Sequence, residues 1–75
     1  MKPIQNFTAI IEKEDDSYVA LCPELDIASQ GNTIEKAKAN LQEAIELFFE
    51  HASKDEIALR LKNDIFITNM QIAVG

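Results

Sequence analysis

Four carboxylates between residues 15 and 26 are the side chains most suited to chemistry. Asp15 and Asp16 separate two apolar runs, Glu24 follows a proline, and Asp26 comes two residues later. Hydrolysis with two metal ions needs several carboxylates converging on ions roughly 3.5–4 Å apart. The spacing predicts scattered positions, with the first pair solvated in a turn. A metal-dependent nuclease or hydrolase that uses Asp16 and Asp26 is therefore kept only as an alternative hypothesis.

A second acidic group lies further along the chain at steps of three and four residues. Its members are Glu43, Glu46 and Glu50, and this spacing places them on one side of a helix. A carboxylate metal site in a helical protein draws ligands from several facing helices, often with histidine. No such partners accompany these residues, so the pattern indicates an exposed acidic face.

The other reactive residue types occur singly. His51 has no assignable Ser, Cys or Asp partner, and near a helix C-terminus its simpler role is a stabilising cation. Cys22, the single cysteine, stands in an apolar run that is typical of a small core residue. Gly31 is the single internal glycine, which argues against a phosphate-binding glycine loop. The sequence thus predicts no catalytic residue, no metal and no cofactor, and a protein that is not an enzyme.

Length and composition indicate one small domain spanning residues 1–75. Of the 75 residues, 47% are hydrophobic and 27% are charged, and such a chain is near the lower size at which a single core is stable alone. Help from an oligomeric partner is therefore expected.

Cellular location is indicated by what the sequence pattern lacks. No segment resembles a signal peptide, and no apolar run approaches the roughly 18 residues needed to cross a bilayer. A lone cysteine cannot form an internal disulfide. We expect a cytoplasmic protein with no membrane association.

The charge balance restricts the class of partner. Thirteen acidic residues against seven basic ones give a formal net charge of −6, which argues against direct binding to a nucleic-acid backbone. Two interpretations remain open. The charge suits a basic protein partner, and it also suits a small domain that needs only solubility.

Alternating apolar residues predict three strands in the first half of the chain. Residues 4–12 have one buried face, and residues 18–22 resume the pattern after a charged turn, which predicts an antiparallel hairpin. Pro23 ends the second strand because it lacks an N–H group. A shorter strand over residues 26–29 completes a three-stranded meander.

An amphipathic helix is predicted over residues 33–52. Its apolar stripe should cover the sheet and consists of Ile34, Ala37, Leu41, Ala44, Ile45, Phe48 and Ala52. Asn32 and Thr33 are both possible N-caps, and we favour Thr33. Leu47 and Phe49 lie off the stripe. They indicate either a wide buried face, which we favour, or a contact with another subunit.

The last third of the chain predicts a second helix and a fourth strand. Ser53 and Glu56 have capping-box spacing before a short helix that ends near Lys62. Apolar alternation over residues 64–74 then predicts a long strand. We expect this strand to join the sheet through a right-handed crossover, beside and parallel to the first strand. The predicted order is β-β-β-α-α-β, an α+β fold with the helices mainly on one face.

Residues 10–49 resemble the N-terminal domain of the HicB family of antitoxins. The resemblance rests on the acidic hairpin and on four short patterns, Tyr18-Val19-Ala20, Cys22-Pro23-Glu24-Leu25, Ser29-Gln30-Gly31 and Leu41-x-x-Ala44-Ile45. Residues 53–74 are similar to the short helix and terminal strand of compact HicB-like proteins.

The resemblance implies a partial ribonuclease H-like fold used for binding. Proteins of the HicB family neutralise HicA, a small basic toxin that cleaves messenger RNA, by docking on it and covering its active site. An acidic antitoxin suits such a partner, since complementary charge speeds association. The resemblance also implies assembly into dimers or tetramers.

Two expectations concern partners directly. Many HicB antitoxins carry a C-terminal DNA-binding segment, whereas this sequence ends after the predicted last strand, so we expect no direct DNA binding. Contacts with a basic toxin are expected at acidic positions of the first hairpin and the long helix, namely Asp15, Asp16, Glu24, Glu43 and Glu50. An orphan self-assembling domain with an unknown ligand is a further alternative.

Overall fold

A computed structural model describes residues 4–62 and 64–75 of the chain. It contains three strands, β1 (Ile10–Glu14), β2 (Ser17–Cys22) and β3 (Ile27–Gly31), followed by two helices, α1 (Ile34–His51) and α2 (Lys54–Leu61). The described part of the chain is therefore an α+β fold with an antiparallel three-stranded sheet, as the sequence predicted.

The sheet is a meander with the strand order β1-β2-β3. Glu14 pairs with Ser17 across a two-residue turn, and Asp15 in that turn has a φ of 53°. Aspartate tolerates this left-handed conformation better than most residues, because its short polar side chain bonds locally to the backbone. At the other end of β2, Cys22 pairs with Ile27.

The first strand is shorter at its beginning than predicted. The pattern indicated residues 4–12, but β1 begins at Ile10, which pairs with Leu21. Pro23 follows Cys22 and ends β2, so residues 4–8 run beyond the end of the strand that would pair with them. The third strand, in contrast, is longer than the predicted residues 26–29.

Local capping determines where both helices begin. The Thr33 hydroxyl accepts a hydrogen bond from the Lys36 N–H at 3.0 Å, which confirms Thr33 as the N-cap of α1. The Ser53 hydroxyl accepts from the Glu56 N–H at 3.1 Å and caps α2. Each hydroxyl satisfies one of the N–H groups that a helix leaves without an internal partner.

The core lies between the sheet and α1. Its buried members are small apart from two leucines, and they are Ala20, Cys22, Leu25, Ala37 and Leu41. The close approach of α1 to β3 requires Gly31, where an added Cβ would lie 2.6 Å from the Ala37 nitrogen. The helix packs mainly over β3, less over β2 and least over β1. One side of α1 and the β1 edge are therefore left uncovered.

The predicted fourth strand is not part of this sheet. Residues 64–75 form no strand, and every one of them is exposed, including Phe66 at 89% and Val74 at 90%. The expected crossover to a position beside β1 is therefore wrong for this chain taken alone. Alternation shows that a segment suits a strand, but the ladder partner is chosen by tertiary or quaternary contacts.

In the described part of the chain, no helix combines the length and the apolar composition that crossing a membrane requires.

Candidate functional site

A concave surface lies between residues 4–9 and one side of α1, and it is here called the edge groove. It has a volume of about 830 Å³. Leu41, Ile45 and Phe49 of α1 line it, facing Ile4 and Phe7 of the N-terminal segment. The groove lies where α1 leaves the β1 side of the sheet uncovered, and its helix side is continuous with the core. Such a surface suits an apolar occupant with few polar contacts.

Charged side chains also line the edge groove. Lys38, Glu46 and Glu50 belong to its helix side and all three are exposed. They keep their hydration at the surface while the apolar side chains form the inner wall. A charged occupant would lie near side chains of both signs and would lose hydration on entering the groove. A neutral segment would avoid this desolvation cost.

An aromatic cluster joins three segments at the C-terminal end of α1. The ring centroids of Phe7 and Phe49 are 5.9 Å apart, and those of Phe48 and Phe49 are 5.5 Å apart in an edge-to-face arrangement. The Arg60 guanidinium of α2 lies 5.3 Å from the Phe48 centroid. The same guanidinium donates hydrogen bonds to the carbonyls of Leu25 and Asp26, which ties α2 to the β2–β3 turn.

The N-terminal wall of the groove is held in place by Glu24. The Thr8 N–H lies 3.1 Å from each oxygen of the Glu24 carboxylate, and the Thr8 hydroxyl donates to Oε2 at 2.6 Å. The Cys22 thiol donates to Oε1 at 3.5 Å. Residues 4–9 lack a strand partner in the described chain, so these bonds attach that segment to the β2–β3 turn.

The ionisation of Glu24 and Cys22 follows from these contacts. Burial tends to raise the pKa of Glu24, but the hydrogen bonds donated by Thr8 stabilise the carboxylate and hold its pKa below the ordinary value. Burial raises the pKa of the Cys22 thiol, and the adjacent Glu24 raises it further. Cys22 is fully buried, so it is a core residue as predicted, and its raised pKa disfavours the reactive thiolate.

The five predicted partner-contact residues lie in separate places. Asp15 and Asp16 occupy the β1–β2 turn, at the end of the sheet where β3 leads into α1. Glu43 and Glu50 are exposed on α1, and of these two, Glu50 lines the edge groove. Glu24 is half-buried and bonded to Thr8, so its carboxylate is already occupied in holding the fold.

The two predicted oligomer contacts differ in burial. Phe49 is half-buried and packs against the core, which agrees with a wide buried face of α1. Leu47 is 47% exposed. The part of Phe49 that remains accessible lines the edge groove, so this residue belongs both to the core and to the candidate site.

The carboxylates of the nuclease hypothesis lie far apart. Asp16 precedes β2 and Asp26 lies four residues after β2 ends. The six residues of β2 span roughly 20 Å at about 3.3 Å per residue, against the roughly 4 Å between ions in a two-metal site. Within residues 4–62 and 64–75, no group of three or more His, Cys, Asp or Glu residues is placed to hold a metal ion. Asp16 and Asp26 therefore cannot share one metal centre in this fold.

Sequence reasoning missed the edge groove and the residues that shape it. Thr8 and Arg60 act over 16 and 35 positions of sequence, and no local pattern marks such contacts. Two signals were present. Phe7 belongs to an alternating apolar run, and Phe49 lies off the main apolar stripe of α1. In the folded chain the two rings contact each other, with centroids 5.9 Å apart.

The fold and the site define a small α+β protein with an apolar edge groove and an acidic exterior, a class suited to binding. The chain belongs to the UPF0150 family. A UPF0150 protein of Helicobacter pylori is 39% identical over 66 residues, covering 87% of this chain and 92% of the relative. A UPF0150 protein of Synechocystis is 40% identical over 75 residues, covering 97% and 94% respectively. A second Synechocystis member is 52% identical over 50 residues, or 64% of this chain and 69% of the relative.

No protein-family model matches the chain, and no solved structure matches it.

Proposed function

We propose that this protein is a HicB-like antitoxin, or a protein-binding module derived from one. It neutralises a small basic HicA-type toxin that cleaves messenger RNA by docking directly on it. It acts in the cytoplasm as a homo-oligomer, uses no cofactor and does not itself contact DNA. The proposal is supported by the resemblance of residues 10–49 to HicB antitoxins and by the charge of the surface.

The observation that carries the proposal is the exposure of the acidic side chains. Twelve of the thirteen are exposed, the exception being the half-buried Glu24. With a net charge of −6, the exterior presents a negative field to any approaching protein. Such a field accelerates association with a basic partner and disfavours acidic ones. An RNA-cleaving toxin must itself be basic where it holds the RNA backbone.

The proposal predicts a stable complex with a small basic protein. The first experiment co-expresses the tagged chain with the protein encoded by the neighbouring gene and measures the mass of the purified complex by light scattering. The proposal is supported if the neighbouring protein cleaves messenger RNA when it is alone and does not cleave it in the complex. A neighbouring protein that neither binds nor is inhibited contradicts it.

Charge reversal tests which acidic residues face the partner. The double variant Asp16→Lys with Glu43→Lys should slow association on the order of tenfold at low salt, with little change at high salt because exposed charges are then screened. The double variant Asp55→Lys with Glu56→Lys, at two exposed positions on α2, is the matched control with the same total charge change. An unchanged association rate in the double variant removes the β1–β2 turn and α1 from the docking surface.

A further inference from the structure

Residues 64–75, here called the tail, have the properties of a strand without a strand partner. Phe66, Met70, Ile72 and Val74 lie on one face of the alternation and are 89%, 83%, 68% and 90% exposed. Soluble proteins rarely leave so much contiguous apolar surface in water unless it binds something. Asp64 is the only charged residue of the tail, so the segment can leave water without burying an ion.

The isolated chain is more extended than a compact domain of its length. The radius of gyration is 14.7 Å and the longest dimension is 49 Å, whereas a compact domain of this size has a radius of about 11 Å. The accessible surface is 6529 Å², against about 4,600 Å² for a compact monomer of the same mass. The chain thus exposes about 1,900 Å² more than a compact fold would.

Within the part of the chain that the structure describes, the edge groove lies beside a sheet edge that lacks a strand partner, whereas the tail lacks a sheet to join. Residues 4–9 directly precede β1 and have no strand partner in the described chain, and β1 itself is paired there on one side alone. An open edge of this kind is a template for one more strand. Beside it, Leu41, Ile45 and Phe49 line the groove and would meet the inward face of such a strand.

We propose that the tail of one copy of this chain occupies the edge groove of a second copy, and that the exchange is reciprocal. The tail adds beside residues 4–14 as a fourth strand and directs the face with Phe66 and Met70 toward α1. The opposite face, with Asn69 and Gln71, stays toward solvent. Strand and edge match in length, since residues 64–74 and residues 4–14 each comprise eleven positions.

Surface area and symmetry both favour a second copy as the occupant. Two chains that each bury the excess surface would share an interface well above the 1,200–2,000 Å² of a standard stable complex and within the range of obligate homodimers. If two chains related by a two-fold axis exchange their tails, each tail occupies the groove of the other chain. The assembly then ends at a dimer with no free tail or groove. Beyond Asp64 the tail carries no charged side chain, so it does not compete with Lys38, Glu46 and Glu50 for charge pairing. This inference shares the homo-oligomer with the proposed function but does not depend on a toxin, so it stands if no basic partner is bound.

The test compares two substitutions on opposite faces of the tail, with mass measured by light scattering during gel filtration. The wild-type chain should elute at about twice 8.4 kDa. Met70→Asp should raise the dimer dissociation constant about ten- to a hundredfold, because it replaces an apolar side chain at the contact with a charge. Asn69→Asp adds the same charge one position away on the outward face and should leave the dimer intact. Far-UV circular dichroism checks that both variants keep their helices.

A monomeric wild-type chain at micromolar concentration overturns the proposal. So does a dimer that resists Met70→Asp, or one that both variants dissociate equally.

Cross-linking in the otherwise native chain identifies what the tail touches. Phe66 is replaced by p-benzoylphenylalanine, and equal amounts of ¹⁴N- and ¹⁵N-labelled chains are mixed, irradiated and mapped by mass spectrometry. The proposal expects mixed-isotope cross-links from the tail to residues 4–14 or 38–50. Cross-links within one chain, cross-links between two tails, or a dimer that yields none of the expected products would each overturn it.

Discussion

The contact between Thr8 and Glu24 should contribute a pH-dependent part of the folding free energy. Thr8→Val keeps the shape of the side chain and removes the hydroxyl that donates to Glu24 Oε2 at 2.6 Å. Hydrogen bonds to a charged group contribute about 1.5–3 kcal/mol. Glu24 is half-buried and keeps some hydration, and screening by solvent reduces the expected contribution to about 1–2 kcal/mol. The two bonds from the Thr8 N–H remain in the variant.

The pH dependence follows from the direction of the Glu24 pKa shift. Its pKa in the folded chain is below the ordinary value, while an unfolded glutamate has a pKa of about 4.3. The stabilisation is therefore fully present above the unfolded pKa and is lost as the pH falls through the folded pKa. Thr8→Val lacks part of this stabilisation. The difference in the free energy of unfolding between the wild type and Thr8→Val should therefore become smaller as the pH is lowered from 7 to 3.

Urea denaturation at a fixed chain concentration measures this effect, since any oligomer makes the midpoint depend on concentration. Glu24→Gln should destabilise the fold and flatten its acid transition. Glu43→Gln is the matched control, because Glu43 is exposed on α1 outside the edge groove and its change should stay within about 0.5 kcal/mol. Equal destabilisation of Thr8→Val at pH 7 and pH 3 would refute the assignment of Glu24 as the charged acceptor.

Two further predictions concern the packing of α1 on the sheet. Leu41 is 2% exposed, so Leu41→Ala should lower the free energy of unfolding by about 2–5 kcal/mol. Leu47→Ala, at a half-exposed position on the same helix, should lower it by under about 1 kcal/mol. Similar losses for the two variants in urea denaturation would mean that the Leu41 side of α1 does not pack on the sheet. Gly31→Ala should lower the free energy of unfolding by about 1–3 kcal/mol, because the new methyl would lie 2.6 Å from the Ala37 nitrogen. The control is Ala28→Ser, at an exposed position of the same strand. A melting temperature of Gly31→Ala equal to that of the wild type would show that α1 lies further from β3.

The apolar stripe and the caps show what local sequence can predict. Thr33 and Ser53 bond to N–H groups three residues away, so all the information for the cap lies within one turn of helix. Leu41 and Ala37 fall on the stripe and are buried. The hairpin between β1 and β2 was likewise predictable, because a short polar turn joins two alternating runs.

The candidate site was not predictable in the same way. Glu24 resembled the other carboxylates in sequence, yet in the fold it bonds to Thr8, sixteen residues earlier. Phe49 was consistent with either a core residue or a surface contact, and in the fold it packs on Phe7, which is distant in sequence. Nothing in the local pattern ranks one acidic or aromatic residue above another, because their environments are created by contacts distant in sequence.

Residues 64–75 separate most clearly what the sequence determined from what the tertiary structure decided. Alternation by itself determined that the segment suits a strand with one apolar face, since side chains in a strand point to opposite sides in turn. The same short-range regularity determined the other strands, the helices and the α+β class. The tertiary structure decided that the tail is not paired with the sheet of its own chain and that a groove remains open between residues 4–9 and α1. The physical reason is that periodicity specifies which face of an element is apolar, whereas the surface that covers this face depends on how all the elements pack.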